Sequence, residues 1–135
     1  MRFELEIVSP EKLLLARQVD MVVLPAAEGE LGVLVEHAPM IVMMRGGPIR
    51  LYEGEQVTDT LFVSGGFAEI TPSRVTVLAD EATPLAEVSR AEGERRLAAA
   101  QAAYEATDKL DVPALDRAMN RIQAAQAMIE SAQAP

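Results

Sequence analysis

Val75-Thr76-Val77-Leu78-Ala79-Asp80-Glu81-Ala82-Thr83-Pro84-Leu85-Ala86-Glu87-Val88-Ser89-Arg90-Ala91-Glu92 holds the point where this chain changes character. Before Pro84 a β-rich run, Val75–Ala79, ends one kind of sequence. After it Ser89, with Glu92 three residues on, opens another, because that spacing is a capping-box signal for a helix start. A start one turn earlier, just after Pro84, is equally compatible with the residues. Residues 1–84 hold seven of the eight glycines and six of the eight prolines. Residues 85–135 hold 15 alanines and one glycine, Gly93. Gly and Pro punctuate short strands, whereas dense Ala favours helix. Two units are therefore expected, a β domain over 1–84 and a helical hairpin over 85–135.

Working back from Pro84, Phe3, Leu5 and Ile7 alternate with Glu4 and Glu6, as in a strand with one buried face. Further β-rich runs follow at Leu13–Ala16, Val19–Leu24, Leu31–Val35, Met40–Met44, Ile49–Tyr52, Thr58–Val63 and Phe67–Ile70. Turn signals stand between them at Glu28-Gly29, Gly46-Gly47-Pro48, Glu53-Gly54-Glu55, Gly65-Gly66 and Thr71-Pro72-Ser73. About ten short strands at this spacing predict a β-sandwich or flattened barrel. Working forward, the first helix should run to about Ala106 and Thr107–Leu110 should connect it to a second. Asp111 is a good N-cap there, Pro113 is tolerated in the first turn, and Leu110 with Leu115 has the spacing of a hydrophobic staple. Leu115, Met119, Ile122 and Ile129 make a seam, answered by Leu97 and Tyr104. Ala118, Ala125 and Ala132 recur every seven residues and allow close approach. Alanine buries little surface, so the hairpin should grip its neighbours weakly and be able to detach. The class is α+β.

Charge and composition exclude several functions. Lys and Arg total 12 against 21 Asp and Glu, a net charge of -9, which opposes general nucleic-acid binding. There is no cysteine and one histidine, His37, so no thiolate nucleophile or Cys-ligated zinc is available, and no carboxylate cluster suggests a metal. The longest apolar stretch, Ala38–Met44, is far short of the ~20 residues that span a bilayer. Met1-Arg2 leads straight into alternating residues, so no leader is expected. These features describe an acidic, soluble, cytoplasmic protein.

Chemistry is hard to find. Gly46-Gly47 is followed by Pro48 and Gly65-Gly66 by Phe67, so neither is a Walker loop. Ser64 has Phe62 where a nucleophile elbow has Gly. Glu28 with Glu30, Glu53 with Glu55 and Asp80 with Glu81 flank turns, where solvated acids are the simple reading. His37 either starts a turn and bonds a backbone carbonyl, or docks a partner; pattern alone favours the first. Met40, Met43 and Met44 read as core filling before adaptable binding surface. Arg117 and Arg121, i and i+4, either clamp a phosphate or pair with acids such as Asp116; pattern favours pairing.

Glu28-Gly29-Glu30-Leu31-Gly32, His37-Ala38-Pro39, Phe62-Val63-Ser64-Gly65-Gly66-Phe67 and Val75–Asp80 occur in that order. With Leu5–Pro10 at the start and Leu115–Ile122 near the end, they closely resemble the epsilon subunit of bacterial F-type ATP synthases, called delta in mitochondria. Glu36 departs from the family, which usually has Gly before the His. The resemblance implies a β-sandwich with a helical hairpin. It implies a non-catalytic rotor subunit on the cytoplasmic face of the inner membrane, attached only through the complex. Its partners would be the gamma subunit, the c-subunit ring and the alpha/beta catalytic head, and it would couple proton-driven rotation to ATP synthesis. The hairpin, when extended, would restrain ATP hydrolysis. Glu28, Gly29, Glu30, Leu31 and Gly32 would face the c ring. His37, Ala38 and Pro39 would lie at the gamma side, which turns the reading of His37 toward an interface. Some members bind ATP on the hairpin through an (Ile/Leu)-Asp-x-x-Arg-Ala motif and two Arg. Ala86-Glu87-Val88-Ser89-Arg90-Ala91 keeps the Arg-Ala only; with Arg117 and Arg121 the resemblance implies Glu87, Arg90, Arg117 and Arg121 as a weak or absent ATP site. No cofactor is otherwise expected. A nucleotide-sensing module acting by itself is the alternative reading.

Overall fold

A computed structural model describes residues 2–132; the end of the expected hairpin, 133–135, lies outside them, as does Met1. Ten strands come first: β1 Phe3–Val8, β2 Leu13–Val19, β3 Met21–Ala26, β4 Gly29–Leu34, β5 Met40–Met44, β6 Gly47–Glu53, β7 Gln56–Val63, β8 Gly66–Ile70, β9 Arg74–Ala79 and β10 Ala82–Pro84. A 3-10 turn over Leu85–Glu87 leads to α1, Arg90–Ala106, and α2, Val112–Ala132. The expected sandwich and hairpin are both present.

Pairing sorts the strands into two five-stranded runs, β4-β3-β6-β7-β10 and β5-β8-β9-β1-β2. One rung, Ala26 to Met44, joins them. Every pair is antiparallel except β1 with β9. Alternation sends Phe3, Leu5 and Ile7 inward, where they meet Val22, Leu24, Ile49, Leu51, Val63, Ile70, Val75 and Val77. No buried polar or charged residue interrupts this core among the described residues.

The run Val19–Leu24 proves to be two strands. Asp20 separates them, and its Oδ2 accepts the Gly54 N–H at 2.6 Å. That bond, with the Arg2 guanidinium nearby, holds the Asp20 carboxyl below the usual carboxylate range. β10 is too short, with a proline at its end, for alternation to mark it.

The 3-10 turn occupies the stretch after Pro84, and α1 begins where the capping box places it. Ser89 Oγ accepts the Glu92 N–H at 3.1 Å. The Glu92 carboxylate turns instead to Arg96 and Arg95, whose donors hold it below its usual range. Asp111 caps α2, accepting the Ala114 N–H at 3.2 Å. The staple does not form, because Leu110 is 89% exposed. Nor is Met119 in the seam, at 55% exposed. Small residues close the hairpin: Ala100, Ala118, Ala125 and Gly93 are buried, as is the larger Met128. A Cβ on Gly93 would lie 2.8 Å from Ile129 Cγ1, so this glycine permits the helix contact that offsets its intrinsic cost.

Candidate functional site

Three surfaces stand out. The first begins on β5, whose pattern buries Val42 and Met44 and turns Ile41 and Met43 outward. Met43 pairs with Phe67 on β8, Phe67 with Leu78 on β9, and Leu78 with Val8 on β1. An outward apolar row therefore crosses four strands. At the usual spacing of about 4.8 Å per strand it is roughly 15 Å long. Ile41 and Met43 are 66% and 61% exposed, and Phe67 and Leu78 are each 38% exposed. Of the three methionines read as core filling, only Met44 is buried: the strand's period of two turns Met43 outward, and Met40, on the inward phase, stays exposed at the start of the strand.

His37, Ala38 and Pro39 lead directly into β5 at the end away from Met43. His37 is half-buried, and its Nδ1 lies 2.8 Å from the Ala38 carbonyl oxygen, the proton therefore sitting on Nδ1 in that bond. Glu36 has φ 62, the left-handed region, and is the one non-glycine residue there among those described. Its N–H donates to Pro72 O at 2.7 Å and the His37 N–H to Leu34 O at 3.3 Å, which fix the turn. The local conformation that Gly would provide is retained with Glu, against a steric preference of about 1–2 kcal/mol. Glu36→Gly should therefore raise stability by about 1 kcal/mol, read as a higher urea midpoint with an unchanged slope. A lower midpoint would refute this.

The second surface is the β3–β4 turn. Ala27 and Glu28 form its tip, Gly29 opens β4 opposite Ala26, Glu30 is exposed and ion-paired with Arg50 of β6, Leu31 is half-buried and Gly32 is exposed. The Ala27 N–H donates to Met43 O at 2.9 Å, so this turn stands at the far end of β5 from His37. The Glu28–Gly32 and His37–Pro39 segments therefore occupy opposite ends of one strand.

The third surface lies between hairpin and sandwich. Arg96, Arg117 and Arg121 line a cavity of about 540 Å³ together with Phe62, Ser64 and Asp80. Arg117 and Arg121 enter no ion pair among the described residues, so the expected pairing with Asp116 is not seen. Arg96 is bonded by Glu81, at 2.9 and 3.3 Å, and by Glu92, which raise its already high pKa. Arg90 pairs with Glu94 on the exposed side of α1, and Glu87 is exposed in the 3-10 turn; neither lines the cavity. Arg96, six residues beyond the motif's Arg90, lines the cavity, and so does Asp80, which the sequence marks only as a solvated acid beside a turn.

The sandwich, residues 2–85, matches the family described as ATP synthase, Delta/Epsilon chain, beta-sandwich domain. The chain is 70% identical over 128 residues to the ATP synthase epsilon chain of Granulibacter bethesdensis, covering 95% of each. The chain belongs to the ATP synthase delta/epsilon chain family. It is also 45% identical over 135 residues to the epsilon chain of Gluconacetobacter diazotrophicus, covering all of this chain and 96% of that one. A chain in the Euglena gracilis mitochondrial ATP synthase, OSCP/F1/c-ring in rotational state 1, superposes with a TM-score of 0.75 at 20% identity. That match covers 96% of this chain and 81% of the Euglena one, and it shows the family's fold kept at low identity. Among the described residues no helix is long and apolar enough to cross a membrane.

Proposed function

We propose that this epsilon-family chain is the non-catalytic rotor subunit that fixes the gamma subunit to the c-subunit ring, coupling proton-driven rotation to ATP synthesis. The observation that carries this is the outward row of Met43, Phe67, Leu78 and Val8, with His37–Pro39 leading into the opposite end of β5. An acidic chain has no evident reason to leave such a row in water unless a partner covers it. The gamma subunit is that partner. The Glu28–Gly32 turn, at the other end of β5, meets the polar loops of the c ring. A stiff sandwich with both contacts transmits torque without doing chemistry. The Euglena relative comes from an assembly containing F1 and the c-ring, and a second solved relative from a central stalk and c-ring of Tetrahymena thermophila, which supports this placement. The chain then sits peripherally on the cytoplasmic face of the inner membrane. Its hairpin, docked on the sandwich here, restrains ATP hydrolysis when it extends into the alpha/beta head. Tagged chain drawn from detergent-solubilised native membranes should bring gamma, the c ring and the head with it. Recovery of the chain alone would end this reading.

A second reading is that the hairpin senses ATP. Arg96, Arg117 and Arg121 around one cavity favour it. Asp80 in the same wall, and Glu87 and Arg90 outside it, oppose it. Weak binding at most follows. Melting of the chain with millimolar ATP should leave Tm within about 2 degrees of its value without ATP. An upward shift of several degrees would establish a real site.

A further inference from the structure

We infer that Gln123 is the catch that holds the hairpin on the sandwich, and that the hairpin is released by breaking its grip on Gly46. The Gln123 carboxamide takes both main-chain polar atoms of Gly46. The Gly46 N–H donates to Oε1 at 2.8 Å, and Nε2 donates to Gly46 O at 2.8 Å. The two residues are 77 positions apart, and Gly46 is buried in the turn where the chain leaves β5 for β6. A Cβ on Gly46 would stand 2.6 Å from Ala124 Cα, so α2 lies flat on that turn. Only a glycine admits the helix there, and only an amide of this length answers both atoms. Leu at 123 answers neither, and Glu loses the donor.

The rest of the seam is less specific. Next to the grip lies the cavity of about 540 Å³. A second cleft of about 500 Å³ lies against it, walled by Pro25, Arg45 and Glu30 of the sandwich and Gln126 and Glu130 of α2. Phe62 of β7, buried and outside the sandwich core, lines the first cleft with Ala100, Ala125 and Met128 and supplies a non-directional apolar contact. The other polar tie, Arg96 to Glu81, is more than a third exposed on both side chains and is shared with Glu92. Exposed pairs hold little. The half-buried carboxamide therefore carries most of the specific attachment. Each such bond shifts an equilibrium about fivefold, so losing both shifts it about thirtyfold.

This inference deepens the hairpin part of the proposed function and rests on it for its regulatory consequence, though not for the contact. The chain has no cysteine, so cysteines placed at exposed Leu110, on the hairpin tip, and exposed Glu11, on the sandwich, can carry a donor and acceptor dye. Single-molecule energy transfer then counts docked and detached hairpins in the full chain. Gln123→Leu should raise the detached fraction about thirtyfold, and Gln123→Glu should also raise it, with far-UV circular dichroism unchanged. Gly46→Ala should raise it too, and the double variant should add little, since one contact is lost in each. Met119→Ala, on the outer face of α2, should leave the fraction where it was. An unchanged fraction in Gln123→Leu, or independent additive effects of the two sites, would overturn the catch. A raised fraction with unaltered ATP hydrolysis by the reconstituted complex would uphold the catch and overturn the inhibitory role proposed for the hairpin.

Discussion

Gly66→Ala should destabilise the sandwich by about 4 kcal/mol, a large part of the 5–15 kcal/mol that holds a domain of this kind together. Gly66 begins β8 and pairs with Met44 on one side and Ala79 on the other, so it sits among three strands. Its φ is +127, a region that side chains rarely enter. A Cβ there would run into the Leu78 carbonyl and lie 3.0 Å from Ala79 Cα. Both are backbone atoms of a paired strand and cannot swing aside as a side-chain tip would. Strained backbone and overpacking each cost about 1–3 kcal/mol, and here they coincide. The urea midpoint should fall by about 2 M. Gly54→Ala is the internal comparison. Gly54 has φ +61 and nothing within 4 Å of a Cβ, so only the dihedral term of about 1 kcal/mol applies. Equal losses at the two glycines would show that the crowding argument is wrong.

Replacing Ile41 and Met43 together by Glu should leave the chain folded and remove it from the complex. Both side chains point to solvent in the isolated chain, and surface changes of this kind alter stability by about 0.5 kcal/mol or less. In a covered interface the same two carboxylates would be desolvated opposite an apolar partner, at a cost of several kcal/mol. Retention with gamma should therefore drop at least a hundredfold, measured as the amount of tagged variant recovered with the complex. Val57→Glu is the control. Val57 is also exposed, at 45%, but belongs to β7 in the other sheet run and lies off the row. Full retention of the double variant, with Val57→Glu behaving the same, would remove the row from the interface.

Much of this architecture was legible in the residues because it is local. Phe3, Leu5 and Ile7 alternate, and β1 has the burial the pattern predicts. Ser89 and Glu92 are three apart, and α1 starts there. Where the prediction was wrong, the deciding contact was distant or the residue small. Asp20 divides an apolar run because Gly54, 34 residues away, reaches its carboxylate. In the hairpin the seven-residue recurrence of Ala118 and Ala125 marks the close approach and both are buried, whereas Met119, placed in the seam, is exposed and the Gly93 contact with Ile129 has no local pattern. The outward row was hidden because Met43, Phe67, Leu78 and Val8 become neighbours only through register. A signal existed: Phe67 and Leu78 occupy the outward phase of strands whose inward residues are Ala68, Ile70, Val75, Val77 and Ala79. A large apolar residue on the wrong phase marks a surface meant to be covered. The Gln123 contact had no such signal, since nothing in either segment names the other.

The parallel pairing of β1 with β9 has a consequence for how the chain is made. When Phe3–Val8 leaves the ribosome, β2 is available to one of its edges within a few residues. Its other edge must wait for Arg74–Ala79, about seventy residues later. At about 5–20 residues per second that is several seconds of exposure for an apolar strand, long by the standard of microsecond hairpin closure. Glu4 and Glu6 place charge on the outward face of that strand, which disfavours premature association with other nascent chains.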